Sequence, residues 1–147
     1  MRLPRLTRST SWKNSGSGYR RTNVSVGRGT EKQFQIYGSP YLPKSDFSFT
    51  PSPNQGAKNP VYNGIECFGE DLSSHSKLHE LELKWLLKAY NSTEDKTKFF
   101  NPFFTKLAGT KTLQQQIEEG ISERKIRKSW KLGLEAFKEI RKKDLIY

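Results

Sequence analysis

The sequence predicts an α+β fold, with short strands in its first half and three to four helices in its second. Two observations carry that expectation. Before residue 70, runs of alternating polar and apolar residues are cut by Gly and Pro. After residue 77, Leu and aromatic residues recur at helical spacing. Only 33% of the 147 residues are hydrophobic, which is lean for a core. Nine Phe, six Tyr and three Trp compensate in part, because each aromatic buries a large area.

Residues 1–21, "MRLPRLTRSTSWKNSGSGYRR", hold six of the 26 basic residues and no acid. They read as a disordered basic leader, because so little apolar surface cannot offset the entropy of ordering. The net charge of +11 invites a nucleic-acid-binding reading, but more than half of that surplus lies in the leader. The remaining chain is ordinary in charge, and no nucleic-acid partner is expected. Neither a membrane span nor a signal peptide is expected, since no apolar run is long enough.

Residues 22–66 read as strands and turns. "NVSV" alternates before Gly27 and Gly29. "FQIYG" alternates up to Gly38-Ser39-Pro40. "DFSFT" does so before Pro51 and Pro53. "PSPNQGAKNP" is a loop, and "GIECFG" is one more short strand. "KLHELELKWLLKAY" is the first helix, with Leu78, Leu81, Trp85 and Leu86 on one side. "NPFFTKLAG" is a hydrophobic connector, and "TKTLQQQIEEG" is a short helix stopped by Gly120. Ser122 is placed to cap the last helix, with Glu123 favourable at its positive end. Ile126, Trp130, Leu134, Phe137 and Ile140 form a stripe expected to pack one continuous face. Gly133 is a candidate break, and "DLIY" a candidate closing strand.

Few constellations point to chemistry. His75 and His79 stand four apart, but Ser76 occupies the place where the metalloprotease pattern needs Glu, so a surface pair is the simpler reading. No cofactor or metal is expected. Glu66, Glu70 and Asp71 surround Cys67; neighbouring acids raise a thiol pKa, which favours a buried structural cysteine. "TNVSVGRGT" lacks the third glycine of a dinucleotide fingerprint and the Gly-Lys-Ser/Thr of a phosphate loop. Its physical content is specific all the same. Gly27 and Gly29 permit close backbone approach, and Arg28 can fork onto a carboxylate or phosphate. Asn23, Ser25 and Thr30 add groups suited to sugar hydroxyls and amides. A plain turn with a solvated arginine fits the same nine residues.

The ordered series "TNVSVGRGT…QFQIYGSP", "FSFTP…GAKNP…GIECFGEDL", "NPFFTKLAGT..LQQQIEEG.S" and "IRKSW...LEAFKEIRKKDLIY" resembles one bacterial family. That family was long known only as a domain of unknown function and is associated with exo-β-N-acetylmuramidase activity on peptidoglycan fragments. The resemblance covers residues 22–147. It implies a C-terminal domain whose longer relatives carry a Rossmann-like catalytic domain before it, with the active site in the cleft between the two. A peptidoglycan-derived muropeptide or disaccharide is the implied partner, and export to the periplasm or beyond the cell the implied location.

The family's "GTN.S.GRGT" element usually follows Phe-Glu-Gly, whose glutamate belongs to the active-site cluster. Arg20 and Arg21 occupy those places here. The leader does not resemble the family, and a truncated or frame-shifted gene product is the expected origin. Departures near Leu132, where relatives often carry Pro, and near Asp144, where they often carry an aromatic, bear on local packing only.

By this resemblance the reaction is hydrolysis releasing terminal N-acetylmuramic acid. The substrate-binding residues of this chain are then Asn23, Ser25, Gly27, Arg28, Gly29 and Thr30, with no catalytic residue assigned. The chain alone is expected to be inactive. The alternatives are a non-catalytic peptidoglycan-binding or interaction domain and a basic nucleic-acid-binding module.

Overall fold

The computed structural model describes residues 22–75 and 81–142. The leader, His79, Leu78 and the "DLIY" segment therefore lie outside the described residues.

Three antiparallel strands form a sheet in the order β1-β3-β2. They are β1 (Ile36–Ser39), β2 (Ser48–Phe49) and β3 (Cys67–Asp71). Gly38 lies directly opposite Gly69 across β1 and β3. A Cβ on Gly69 would stand 1.8 Å from the Tyr37 carbonyl oxygen, so this seam closes only without a side chain there.

β3 begins later than its sequence run. The Ile65 amide donates to the Tyr62 carbonyl (2.9 Å) and Gly64 sits at φ 72°, which makes residues 62–65 a turn. The "NVSV" run forms no strand: Ser25 bridges Gly38, and Thr22 just before the run bridges Phe100. The turn at Gly27 (φ 71°) follows at once and ends the pairing.

Four α-helices follow: α1 (Lys84–Ser92), α2 (Phe104–Ala108), α3 (Thr112–Glu118) and α4 (Glu123–Lys142). A 3₁₀ turn, Lys96–Lys98, joins α1 to α2, and the Asp95 carboxylate accepts from the Thr97 amide at its start. α2 lies inside the stretch expected as a connector and stops at Gly109, in the left-handed conformation. α1 begins at Lys84, and the Leu83 amide just before it donates to the Glu123 carboxylate of α4 (2.9 Å). The Thr93 hydroxyl closes the other end on the Ala89 carbonyl (2.8 Å).

The core is one cluster drawn from both halves. Val24, Val26, Tyr37, Leu42 and Leu72 meet Trp85, Leu86, Ala89, Tyr90, Phe99, Phe104, Ile117 and Ile126. Phe99 and Phe100 lie edge to face at 4.9 Å, and Phe100 stacks on Tyr90 at 5.5 Å. Thus the aromatic residues do supply bulk that the lean composition lacks.

α4 departs from expectation twice. It runs unbroken through Gly133, which faces open space and costs helix propensity without a clash. The stripe is not packed throughout: Ile126 is fully buried and Trp130 half-buried, whereas Leu134, Phe137 and Ile140 are 53%, 58% and 62% exposed. Among the described residues nothing stands opposite that far half. No helix among them is long and apolar enough to cross a membrane.

Candidate functional site

The Gly27–Thr30 turn is built for close packing. Gly27 and Gly29 both take positive φ, 71° and 84°. A Cβ on Gly27 would meet Ile36 Cγ1 at 2.4 Å, and one on Gly29 the Ser52 carbonyl at 2.6 Å and Pro60 Cβ at 2.7 Å. The Ser52 amide donates to the Gly29 carbonyl (2.9 Å), which pins the turn to the 51–60 loop. Arg28 stands between these two contacts. Its Nη2 donates to the Gly56 carbonyl (3.2 Å), so both neighbouring glycines and a remote loop hold its direction.

The loop end facing Arg28 is itself ordered. Asn54 and Ala57 exchange backbone hydrogen bonds of 3.0 and 3.2 Å, and Asn54 Oδ1 accepts from the Gly56 amide (3.1 Å). Between turn and loop lies a cleft of about 360 Å³ lined by Thr22, Val24, Ser25, Val26, Arg28, Ala57, Lys58, Asn59, Pro60 and Val61. Its described lining carries two cations, Arg28 and Lys58, and no carboxylate. Such a cleft favours an anionic ligand.

The six sequence-derived residues do not converge on one ligand position. Arg28 and Ser25 line the cleft. The Ser25 hydroxyl, however, accepts from the Gly27 amide (3.3 Å). The Thr30 hydroxyl donates to the Gly27 carbonyl (2.7 Å) and accepts from the Lys32 amide (3.1 Å). Both hydroxyls shape the turn. Gly27 and Gly29 act through their backbone. Asn23 lines a second cavity, of about 500 Å³, together with Tyr41, Tyr62, Thr93 and Asp95. Sequence reasoning missed Lys58 and Asn59. Their signal was a lone cation in a Pro-bounded loop that only folding brings to Arg28.

The acids near Cys67 are taken up by surface contacts. Glu66 accepts from the Ser48 hydroxyl (2.7 Å), Glu70 pairs with Lys88, and Asp71 pairs with Lys32. Burial would raise the Asp71 pKa, but hydrogen bonds from Lys32 and Ser73 outweigh it and lower the carboxyl to about 2. Burial first, and Glu66 second, push the Cys67 thiol up to about 12. Cys67 is fully buried and free, in keeping with a structural role. His75 is exposed, edge to face with Trp85 at 5.4 Å. Among the described residues no three His, Cys, Asp or Glu side chains converge on a metal position.

Comparison with known proteins gives the family. A peptidoglycan β-N-acetylmuramidase, NamZ, of Bacillus subtilis strain 168 is 28% identical over 146 residues, covering 86% of this chain and 34% of that protein. The crystal structure of a DUF1343 family protein from Bacteroides fragilis NCTC 9343 superposes with a TM-score of 0.85 at 38% identity, covering 89% of this chain and 38% of that one. The chain thus spans little more than a third of the length of either. Residues 19–147 match the family described as exo-β-N-acetylmuramidase NamZ, C-terminal. With that match over most of its length, and an overall fold shared with a solved relative, the chain belongs to the NamZ C-terminal domain family.

Proposed function

We propose that this chain is the substrate-placing part of a glycoside hydrolase that releases terminal N-acetylmuramic acid from peptidoglycan fragments. Arg28 is the residue that recognises the sugar. The observation that carries this reading is the cleft between Arg28 and the 51–60 loop, with two cations and no carboxylate in its described lining. N-acetylmuramic acid bears a lactyl carboxylate that N-acetylglucosamine lacks. The Arg28 guanidinium can pair with that carboxylate through two parallel hydrogen bonds, while Lys58 adds charge and Asn59 polar contacts.

Hydrolysis of a glycosidic bond usually needs two carboxyl groups flanking it, one to protonate the leaving oxygen and one to activate or perform the attack. The described lining of this cleft supplies neither. In this reading they come from the other two thirds of the longer relatives, whose domain closes over the Arg28 cleft.

Titration of the 147-residue chain with N-acetylmuramic acid and with N-acetylglucosamine tests the proposal. The muramic sugar is expected to bind more tightly, and Arg28→Ala to remove about 1–3 kcal/mol of its binding energy, up to roughly a hundredfold in Kd. Equal affinity for the two sugars read at the Lys58 amide resonance, or an unchanged Kd there in Arg28→Ala, would sink it.

A further inference from the structure

The larger of the two cavities borders the same segment at Asn23. Thr22, Val24 and Ser25 line the Arg28 cleft, whereas Asn23 lines the 500 Å³ cavity. The second wall divides likewise: Pro60 and Val61 belong to the cleft and Tyr62 to the cavity. Its volume falls within the range of about 300–1,000 Å³ typical of small-molecule sites.

Tyr62, Tyr41 and Asn23 define its lining. Tyr62 (φ 61°) opens the 62–65 turn. Its hydroxyl donates to the Asn23 carbonyl (2.7 Å), which fixes the ring as a wall. Tyr41 stands edge to face with it, centroids 6.1 Å apart, and yet is 59% exposed at the mouth. Asn23 Oδ1 is buried without a hydrogen-bond partner among the described residues. Rotation of the amide would bring an acceptor to the cavity.

The rim decides the class of ligand. In the described lining, Glu94 and Asp95 stand with a single cation, Lys98, which is already paired with Asp95 at 2.9 Å. That excess of carboxylate disfavours phosphates and acidic ligands. A neutral, hydroxyl-rich molecule with one apolar face fits instead. Its hydroxyls donate to the rim carboxylates, and its C–H face lies on the exposed Tyr41 ring.

We propose that this cavity is a second glycan-binding site, which takes a 2-acetamido sugar with its ring on Tyr41. The acetamido N–H is directed toward the Asn23 side chain, and its methyl toward the apolar wall at Pro40. The choice of an acetamido sugar rests on the peptidoglycan reading above, whereas the cavity and its aromatic wall do not. A chain with both sites holds a glycan strand by a neutral unit while the Arg28 cleft selects the muramic one.

The test is a titration of the full chain with N,N′,N″-triacetylchitotriose, and with cellotriose as the sugar without acetamido groups. Amide NMR shifts and calorimetry are read together. Chitotriose is expected to bind saturably and to move the resonances of Asn23, Tyr41, Tyr62 and Glu94. Tyr41→Ala should weaken binding about tenfold, while Tyr41→Phe, which keeps the ring, stays within about threefold. Phe137→Ser, on the exposed face of α4, should leave it unchanged. Absence of saturable shifts at these residues overturns the site, as does an unchanged Kd in Tyr41→Ala. Equal binding of cellotriose overturns the acetamido assignment. Failure of the Arg28 proposal is seen separately, because N-acetylmuramic acid would then leave the Arg28 and Lys58 resonances unmoved.

Discussion

Gly29 shows how a residue type, a backbone angle and a close contact together make a site. Its φ of 84° disfavours any L side chain, and a Cβ there would press on the Ser52 carbonyl and Pro60. Gly29→Ala is therefore expected to cost about 2–3 kcal/mol, combining left-handed strain with the displaced loop. A urea midpoint unchanged from the parent would contradict this. The sequence displayed the glycines and Arg28 openly, but not what the neighbouring hydroxyls do. Ser25 and Thr30 are of the right type to touch a sugar, and equally of the right type to close a turn. That choice depends on which backbone groups lie nearest, and here the turn takes both.

α4 carries the corresponding lesson for elements. Its five-residue stripe is periodic from end to end, yet only Ile126 and Trp130 pack. Periodicity reports which face of a helix can be buried; it does not report whether a surface exists to bury it. Ile126→Ala should cost about 3 kcal/mol, as for other fully buried aliphatics. Phe137→Ser, more than half exposed, should change stability by no more than about 0.5 kcal/mol. Thermal unfolding of the two variants checks the contrast, and comparable losses would mean that the far half packs after all. Strand edges were less legible than the helices. β3 begins three residues later because the 62–65 turn takes up the start of the expected strand. The two-residue β2 exists only through its pairing with β3, which is non-local information.

For the whole molecule, the sheet and helices share one core, so the two halves stand or fall together. Ion pairs tie the remaining edges, and Lys32 with Asp71 joins the Arg28 turn to β3. Asp71 has a folded pKa of about 2 against an ordinary 3.8. A depressed carboxyl stabilises the fold above its ordinary value, and that contribution is lost as pH falls through about 2. The pair is substantially exposed, so the gain is modest after solvent screening. Urea midpoints between pH 5 and pH 2 should fall further for the parent than for Asp71→Asn, and parallel profiles would remove the linkage. The order of segments along residues 22–147 was legible because each carries its own local pattern. The second cavity was not, since its walls come from four separated stretches that share no motif.

The half-packed α4 also has a consequence in time. A helix anchored at one end has a gradient of lifetimes along one unbroken hydrogen-bond ladder. Amides near Ile126 and Trp130 open only when the core does, whereas those beyond Gly133 open whenever the far turns fray. Deuterium uptake should therefore proceed along α4 from its far end inward, differing by roughly a hundredfold or more between the two halves. The same helix labelled evenly would reveal a cover on the apolar face of Leu134, Phe137 and Ile140 that remains in place for as long as the core itself.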